Sequence, residues 1–142
     1  MRKGKGLRDW SDDDFEKIAI RGRKEARAAK TKGGRLAVRQ ASEKSYLASV
    51  ETARAVLRWS GTEVPDKSST AIGMAFNVLS GKQYGPEAKK VTRAMTASLT
   101  QHASCFYDGK CDAGVVYEVA QDVVKATKIV KRMKSKIQRS GI

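Results

Sequence analysis

An all-α bundle of four to five helices, led by a basic N-terminal arm, is the fold that this 142-residue sequence predicts. Three observations carry that expectation. Apolar residues recur at three- and four-residue spacing along most of the chain, the period of a helix with one buried face. The breakers fall between those stretches: Gly33-Gly34, Gly61 with Pro65, Gly81 with Gly85-Pro86, and Asp108-Gly109. No run reads convincingly as a strand, and no internal repeat is visible. The length suits one domain with a core large enough to fold without a metal or a disulfide.

Residues 1–10 read as a flexible basic arm, and 11–142 as a single helical domain. The first helix starts at "WSDDDF", with Ser11 as N-cap, Asp14 in a weak capping box and Trp10 and Phe15 at staple spacing. Asp12, Asp13 and Asp14 suit the positive end of the helix dipole; being consecutive, they point in different directions and do not suit metal chelation. Phe15, Ile18, Ala19, Gly22, Ala26 and Ala29 form its apolar stripe. A long second helix runs to Gly61, rich in small residues (Ala41, Ser42, Ser45, Ala48, Ser49, Ala53) that admit close neighbours. "EVPDK" is a turn. A shorter helix carries Ala71, Ile72, Ala75, Phe76 and Leu79, and "QYGP" turns into a fourth with Pro86 in its first turn. That fourth helix places Val91, Met95, Leu99, His102 and Phe106 on one stripe. Asp112 caps the last helix, about Ala113 to Arg139.

The sequence has a formal net charge of +14, and its distribution matters more than its size. Residues 1–40 and 125–142 each carry a net +7, and the residues between them are neutral. A neutral core with two strongly basic ends points to a polyanionic partner. On the last helix, Val123, Ala126, Ile129, Val130, Met133 and Ile137 share one arc, and Lys125, Lys128, Arg132, Lys136 and Arg139 another. An ordinary solvated face interleaves acids for i,i+4 pairs. A membrane-surface helix carries Trp or Phe in its apolar arc. Residues 125–142 hold seven cations with no acid, and the arc holds no aromatic, so a phosphate-contacting helix is the favoured reading.

Other chemistry is excluded or weak. No apolar run approaches the roughly 18 residues of a membrane span, and "MRKGKGLRDW" is not followed by the apolar stretch of a secretory signal. A cytoplasmic protein is expected. One histidine and two cysteines fall short of a four-ligand metal set, and "TKGGR" lacks the spacing of a phosphate-binding loop, so no metal and no cofactor are expected. With no export signal, Cys105 and Cys111 are expected to be reduced thiols acting as inert small residues; the alternative is a disulfide across the turn, as intracellular proteins of hyperthermophiles allow. The single asparagine, Asn77, leans toward a thermophile.

"RQASEKSYLASVETARAVL" and "QHASCFYDGKCD" resemble two runs of small archaeal PaREP-type proteins, the second met here by His102, Phe106, Tyr107, Gly109 and Asp112. Those proteins in turn resemble the HEPN superfamily of helical bundles. The resemblance covers about residues 35–134 and implies an all-α, HEPN-like bundle, often a homodimer. HEPN ribonucleases use an arginine, four to six residues, then a histidine. Here His102 stands at the arginine position and Tyr107 at the histidine position. A tyrosine titrating near 10 cannot serve as a base at neutral pH. His102 is expected to be largely buried beside Leu99 and Phe106, a degenerate site without catalysis.

The sequence therefore reads as a non-enzymatic RNA-binding protein, with ribosomal RNA and neighbouring ribosomal proteins as the favoured partners. Phosphate contacts are expected from Arg2, Lys3, Lys5 and Arg8 in the arm. Arg21, Arg23, Lys24, Arg27, Lys30, Lys32 and Arg35 follow in and after the first helix. Lys125, Lys128, Arg132, Lys136 and Arg139 complete the set on the last. The alternatives are a HEPN-type, toxin-like ribonuclease and a DNA-binding basic protein. The first requires His102 exposed in a cleft; the second requires a base-reading recognition helix, for which no candidate is visible.

Overall fold

The computed structural model describes residues 14–32, 34–106 and 110–140. Five α-helices form the bundle: α1 (Asp14–Thr31), α2 (Arg35–Trp59), α3 (Ser68–Leu79), α4 (Gly85–Phe106) and α5 (Ala113–Ser140), with one 3-10 turn, Lys82–Tyr84, ahead of α4. There is no strand among the described residues. The proposed arm, the Ser11 cap and the Trp10 staple lie outside them.

The axis is α2, on which α1, α3, α4 and α5 all pack. Every residue from 48 to 57 is buried. Small side chains make that possible. In α1, a Cβ added at Gly22 would meet Lys44 Cβ at 3.2 Å and the Ser45 backbone nitrogen at 3.3 Å, so glycine sets the approach of α1 to α2. Toward α4, Ser98 Oγ donates to Ser49 Oγ at 2.7 Å and Ser42 Oγ donates to Gln101 Oε1 at 3.1 Å, both buried. The bulky side chains gather at one end of the bundle, where Phe15 meets Trp59 edge-on at 6.0 Å among Ile72, Leu79, Tyr84, Met95 and Ile137. The other end is built from Ala26, Ala29, Val38, Ala41, Cys105, Val116 and Ala120.

Most stripes fall where periodicity puts them. In α1, Phe15, Ala19, Gly22, Ala26 and Ala29 are buried and Ile18 is half-buried. Asp112 caps α5, accepting from the Val115 backbone N–H at 3.0 Å. Gly85 has φ +66°, a conformation that favours glycine, and leads into Pro86. The exception is α4. Val91 and Met95 are buried, but the buried face continues through Ser98, Gln101 and Cys105. Leu99, His102 and Phe106 sit half-buried beside it. Ser98 and Gln101 occupy the core because the α2 serines partner Ser98 Oγ and Gln101 Oε1, leaving Gln101 Nε2 buried without a hydrogen bond, an arrangement that no hydrophobic pattern reveals.

The centre of α2 also holds a charged pair. Glu51 and Arg54 are each 3% exposed, with Arg54 Nε 3.8 Å from Glu51 Oε2. Arg54 donates from Nη1 to the Pro65 carbonyl at 2.7 Å and from Nη2 to the Asp66 carbonyl at 2.9 Å, tying the α2–α3 turn to the core. Burial pushes the Glu51 carboxyl from 4.5 up to about 7, against the lowering pull of Arg54 and Arg58 and with a smaller upward push from Asp14. The folded state thus holds a proton between pH 4.5 and 7 that the unfolded chain has released. Stability is highest below about pH 4.5 as far as this group is concerned, falls as pH rises toward 7 and levels off above it. Thermal midpoints measured from pH 5 to 8 should show that fall. Glu51→Gln should flatten it and raise the midpoint at pH 8 by several degrees.

Candidate nucleic-acid interface

The last helix divides as its wheel requires. Val123, Ala126, Ile129, Val130, Met133 and Ile137 are buried, and Lys125, Lys128, Arg132, Lys136 and Arg139 are exposed. The apolar arc is committed to the bundle core and offers no face to lipid. No described helix is long and apolar enough to cross a membrane.

The cationic row is not without acids; they come from other helices. Glu16 of α1 lies 2.8 Å from Lys131 Nζ and 3.9 Å from Lys128 Nζ. Glu87 of α4 lies 3.8 Å from Arg132 Nη2 and 3.1 Å from Lys90 Nζ. Lys136 Nζ donates to the Gln83 carbonyl at 3.0 Å. Helix α4 runs antiparallel to α5, and its exposed Lys90 and Arg93 face Lys125 and Arg132 across a groove of about 510 Å³. Lys90 and Arg93 escaped the sequence reading because their segment is neutral overall; only the pairing of α4 with α5 joins them to the row.

The remaining cations do not form one patch with it. Arg21 and Lys24 lie on the side of α1 opposite its buried stripe. Arg23, Arg27 and Lys30 share the side that carries Glu16 and faces α5. Lys30 Nζ sits 4.8 Å from the Tyr117 ring centroid, near the start of α5. Exposed Lys32 and Arg35 flank the α1–α2 turn. Helix α5 is about 42 Å long at 1.5 Å per residue, so Lys30, Lys32 and Arg35 lie toward the other end of the bundle from the cations at 128–139, with Arg23 and Arg27 between. Arg2, Lys3, Lys5 and Arg8 lie outside the described residues.

His102 sits on the opposite flank. Its ring stacks on Tyr46 (centroids 4.0 Å apart, planes 6° apart), touches Phe106 at 4.7 Å, and places Nδ1 3.4 Å from Glu43 Oε2. Arg39 lies over Phe106 at 4.5 Å. The side chain is 18% exposed, held at the α2–α4 edge rather than in the core. Leu36, Arg39, Gln40, Glu43, Lys44 and Phe106 line an open pocket of about 560 Å³ alongside. Glu43 and Tyr46 stand at i,i+3 in the "ASEKSY" run of α2, and only the packing of α2 against α4 brings them to His102. Tyr107 lies outside the described residues. No group of three His, Cys, Asp or Glu side chains suited to a metal occurs among the described residues.

Cys105 and Cys111 are not the reduced thiols that the sequence leads one to expect: they form a disulfide closing the α4–α5 turn, which brings their Cα atoms to 4.4 Å. Comparison of the chain with family models, with curated proteins and with solved structures finds no match. By loop-closure entropy, a bridge spanning so few residues contributes about 2 kcal/mol. The double variant Cys105→Ala, Cys111→Ala should lower the thermal midpoint by several degrees, and wild type in dithiothreitol should follow it. Equal midpoints with and without reductant would mean that the bridge adds no stability.

Proposed function

We propose that this chain is a non-catalytic RNA-binding protein of HEPN-like build, a structural or associated component of a cytoplasmic ribonucleoprotein such as the archaeal ribosome. The observation that carries the reading is the exposed cationic row of α5, backed along its length by core-committed apolar residues. A row so mounted keeps its spacing when it meets a phosphate backbone, and releases counterions as it does so. The net charge of +14 adds attraction over longer range.

Affinity for structured RNA should fall steeply with salt. Five α5 cations each neutralising a phosphate would give a slope of log K against log salt of about −4. Changing Lys128, Arg132 and Lys136 together to Gln should flatten that slope by two or more while leaving the thermal midpoint within a few degrees. The native protein should co-sediment with ribosomal subunits at low salt and leave them at high salt. An unchanged slope in the triple variant would mean that α5 is merely solubilising, and tighter binding to duplex DNA than to RNA would favour the DNA-binding alternative.

A second reading, a HEPN-type ribonuclease, draws on one observation: the Glu43 carboxylate lies 3.4 Å from His102 Nδ1, close to it though not hydrogen-bonded, a candidate acid–base partner that the sequence alone does not reveal. On the main reading, His102→Gln leaves RNA affinity unchanged and purified protein cleaves no RNA. Cleavage lost in both His102→Gln and Glu43→Gln would replace the main reading with the enzymatic one.

A further inference from the structure

The groove between α4 and α5 takes the RNA reading a step further, and the inference rests on that reading. Its floor is small and aliphatic: Ala94, Ala97, Ala126 and Ile129. Its walls carry cations from both helices, and one carboxylate lies between them. Glu87 reaches Lys90 on its own helix at 3.1 Å and Arg132 across the groove at 3.8 Å. These side chains are well exposed, at 44% for Glu87, 64% for Lys90 and 67% for Arg132. Exposed pairs of this kind hold weakly and exchange readily with other anions. A carboxylate and a phosphodiester present the same chemistry to such a pair, a single negative charge spread over two acceptor oxygens, and a guanidinium accepts either.

We propose that Glu87 holds the place of a backbone phosphate. A strand of paired RNA lies along the groove, its phosphodiester takes Lys90 and Arg132 from the Glu87 carboxylate, and Arg93 and Lys125 take a phosphate further along. Among the described residues none that lines the groove is aromatic, and this selects the kind of RNA. Unpaired strands are usually held by stacking their bases on rings or guanidinium planes. The two guanidiniums of the groove, Arg93 and Arg132, are given to phosphates in this assignment, and the small aliphatic floor offers no stacking plane, which suits a duplex whose bases are turned inward. Asp122, on the α5 wall beyond Lys125, sets a like charge against the strand and bounds the site at that end.

The assignment predicts a gain of binding, which a generic basic surface does not predict at one chosen residue. Fluorescence anisotropy of the full chain with a fully paired RNA hairpin, and with an unpaired oligonucleotide of equal length, measures it at about 0.1 M salt. Glu87→Gln should bind the hairpin about three-fold more tightly than wild type. Glu63→Gln makes the same charge change at an exposed residue that does not line the groove, and should alter affinity far less. Arg93→Gln with Lys125→Gln should weaken hairpin binding about ten-fold and flatten the salt slope by about 1.5. The hairpin should be preferred to the unpaired strand. If Glu87→Gln binds as wild type does, or Glu63→Gln gains equally, the place-holder assignment is wrong while the RNA reading stands. Preference for the unpaired strand overturns the duplex assignment. Wild type that binds neither RNA overturns both the inference and the reading beneath it. Circular dichroism of each variant should match wild type, since all of the altered side chains are wholly or partly exposed.

Discussion

The closeness with which four helices approach α2 is the constraint on which the rest of the bundle depends. A helix buried along ten consecutive residues admits neighbours on every face, and bulky side chains such as Arg54 and Leu57 fit at only a few of its positions. The sequence meets this with alanines and serines on α2 and with a glycine opposite them on α1. The serines shape the core as well as making room, because Ser49 accepts a hydrogen bond from Ser98 of α4 and Ser42 donates one to Gln101. The turn at which α4 faces inward follows from them, and with it the half-buried station of His102 and the outward station of Lys90 and Arg93. The basic groove is thus a distant result of serine spacing on a helix that carries none of its walls.

How much of this was legible in the sequence depends on whether a residue's neighbours lie along its own helix. The two arcs of α5, the stripe of α1 and the Asp112 cap are local patterns and were read directly. The inward face of α4 was misread beyond Met95, because Leu99 and Phe106 look like core residues and Ser98 and Gln101 do not. What buries the latter is their pairing with α2. Glu51 and Arg54 escaped notice for the same reason: inside "VETARAV" they resemble a solvated i,i+3 pair, and only tertiary packing takes them out of water. The acids that flank α5 could not be found at all by reading α5. Glu16 and Glu87 are 71 residues apart in sequence and become neighbours of one cationic row only in the assembled bundle.

Seen this way, the charge of the molecule is less uniform than its net value suggests. The row on α5 is edged on one side by Glu16 and on the other by Glu87, so its field is trimmed at the flanks and strongest along the ridge. Trimming of this kind lowers affinity for polyanions in general more than for one whose charges run along the ridge, a form of selectivity by competition rather than by added contacts.

The bridge between Cys105 and Cys111 bears on how the two helices can move. It fastens α4 to α5 at the end where they join, while at the far end their walls meet through Glu87, Arg132, Lys136 and Gln83, contacts between groups that water can solvate in their place. That far end is also where Met95 of α4 and Ile137 of α5 belong to one buried apolar cluster, so the two helices are pinned at both ends, covalently at one and by packing at the other. A polyanion would then meet a groove whose width is already set, and little ordering of the protein would be charged against its binding.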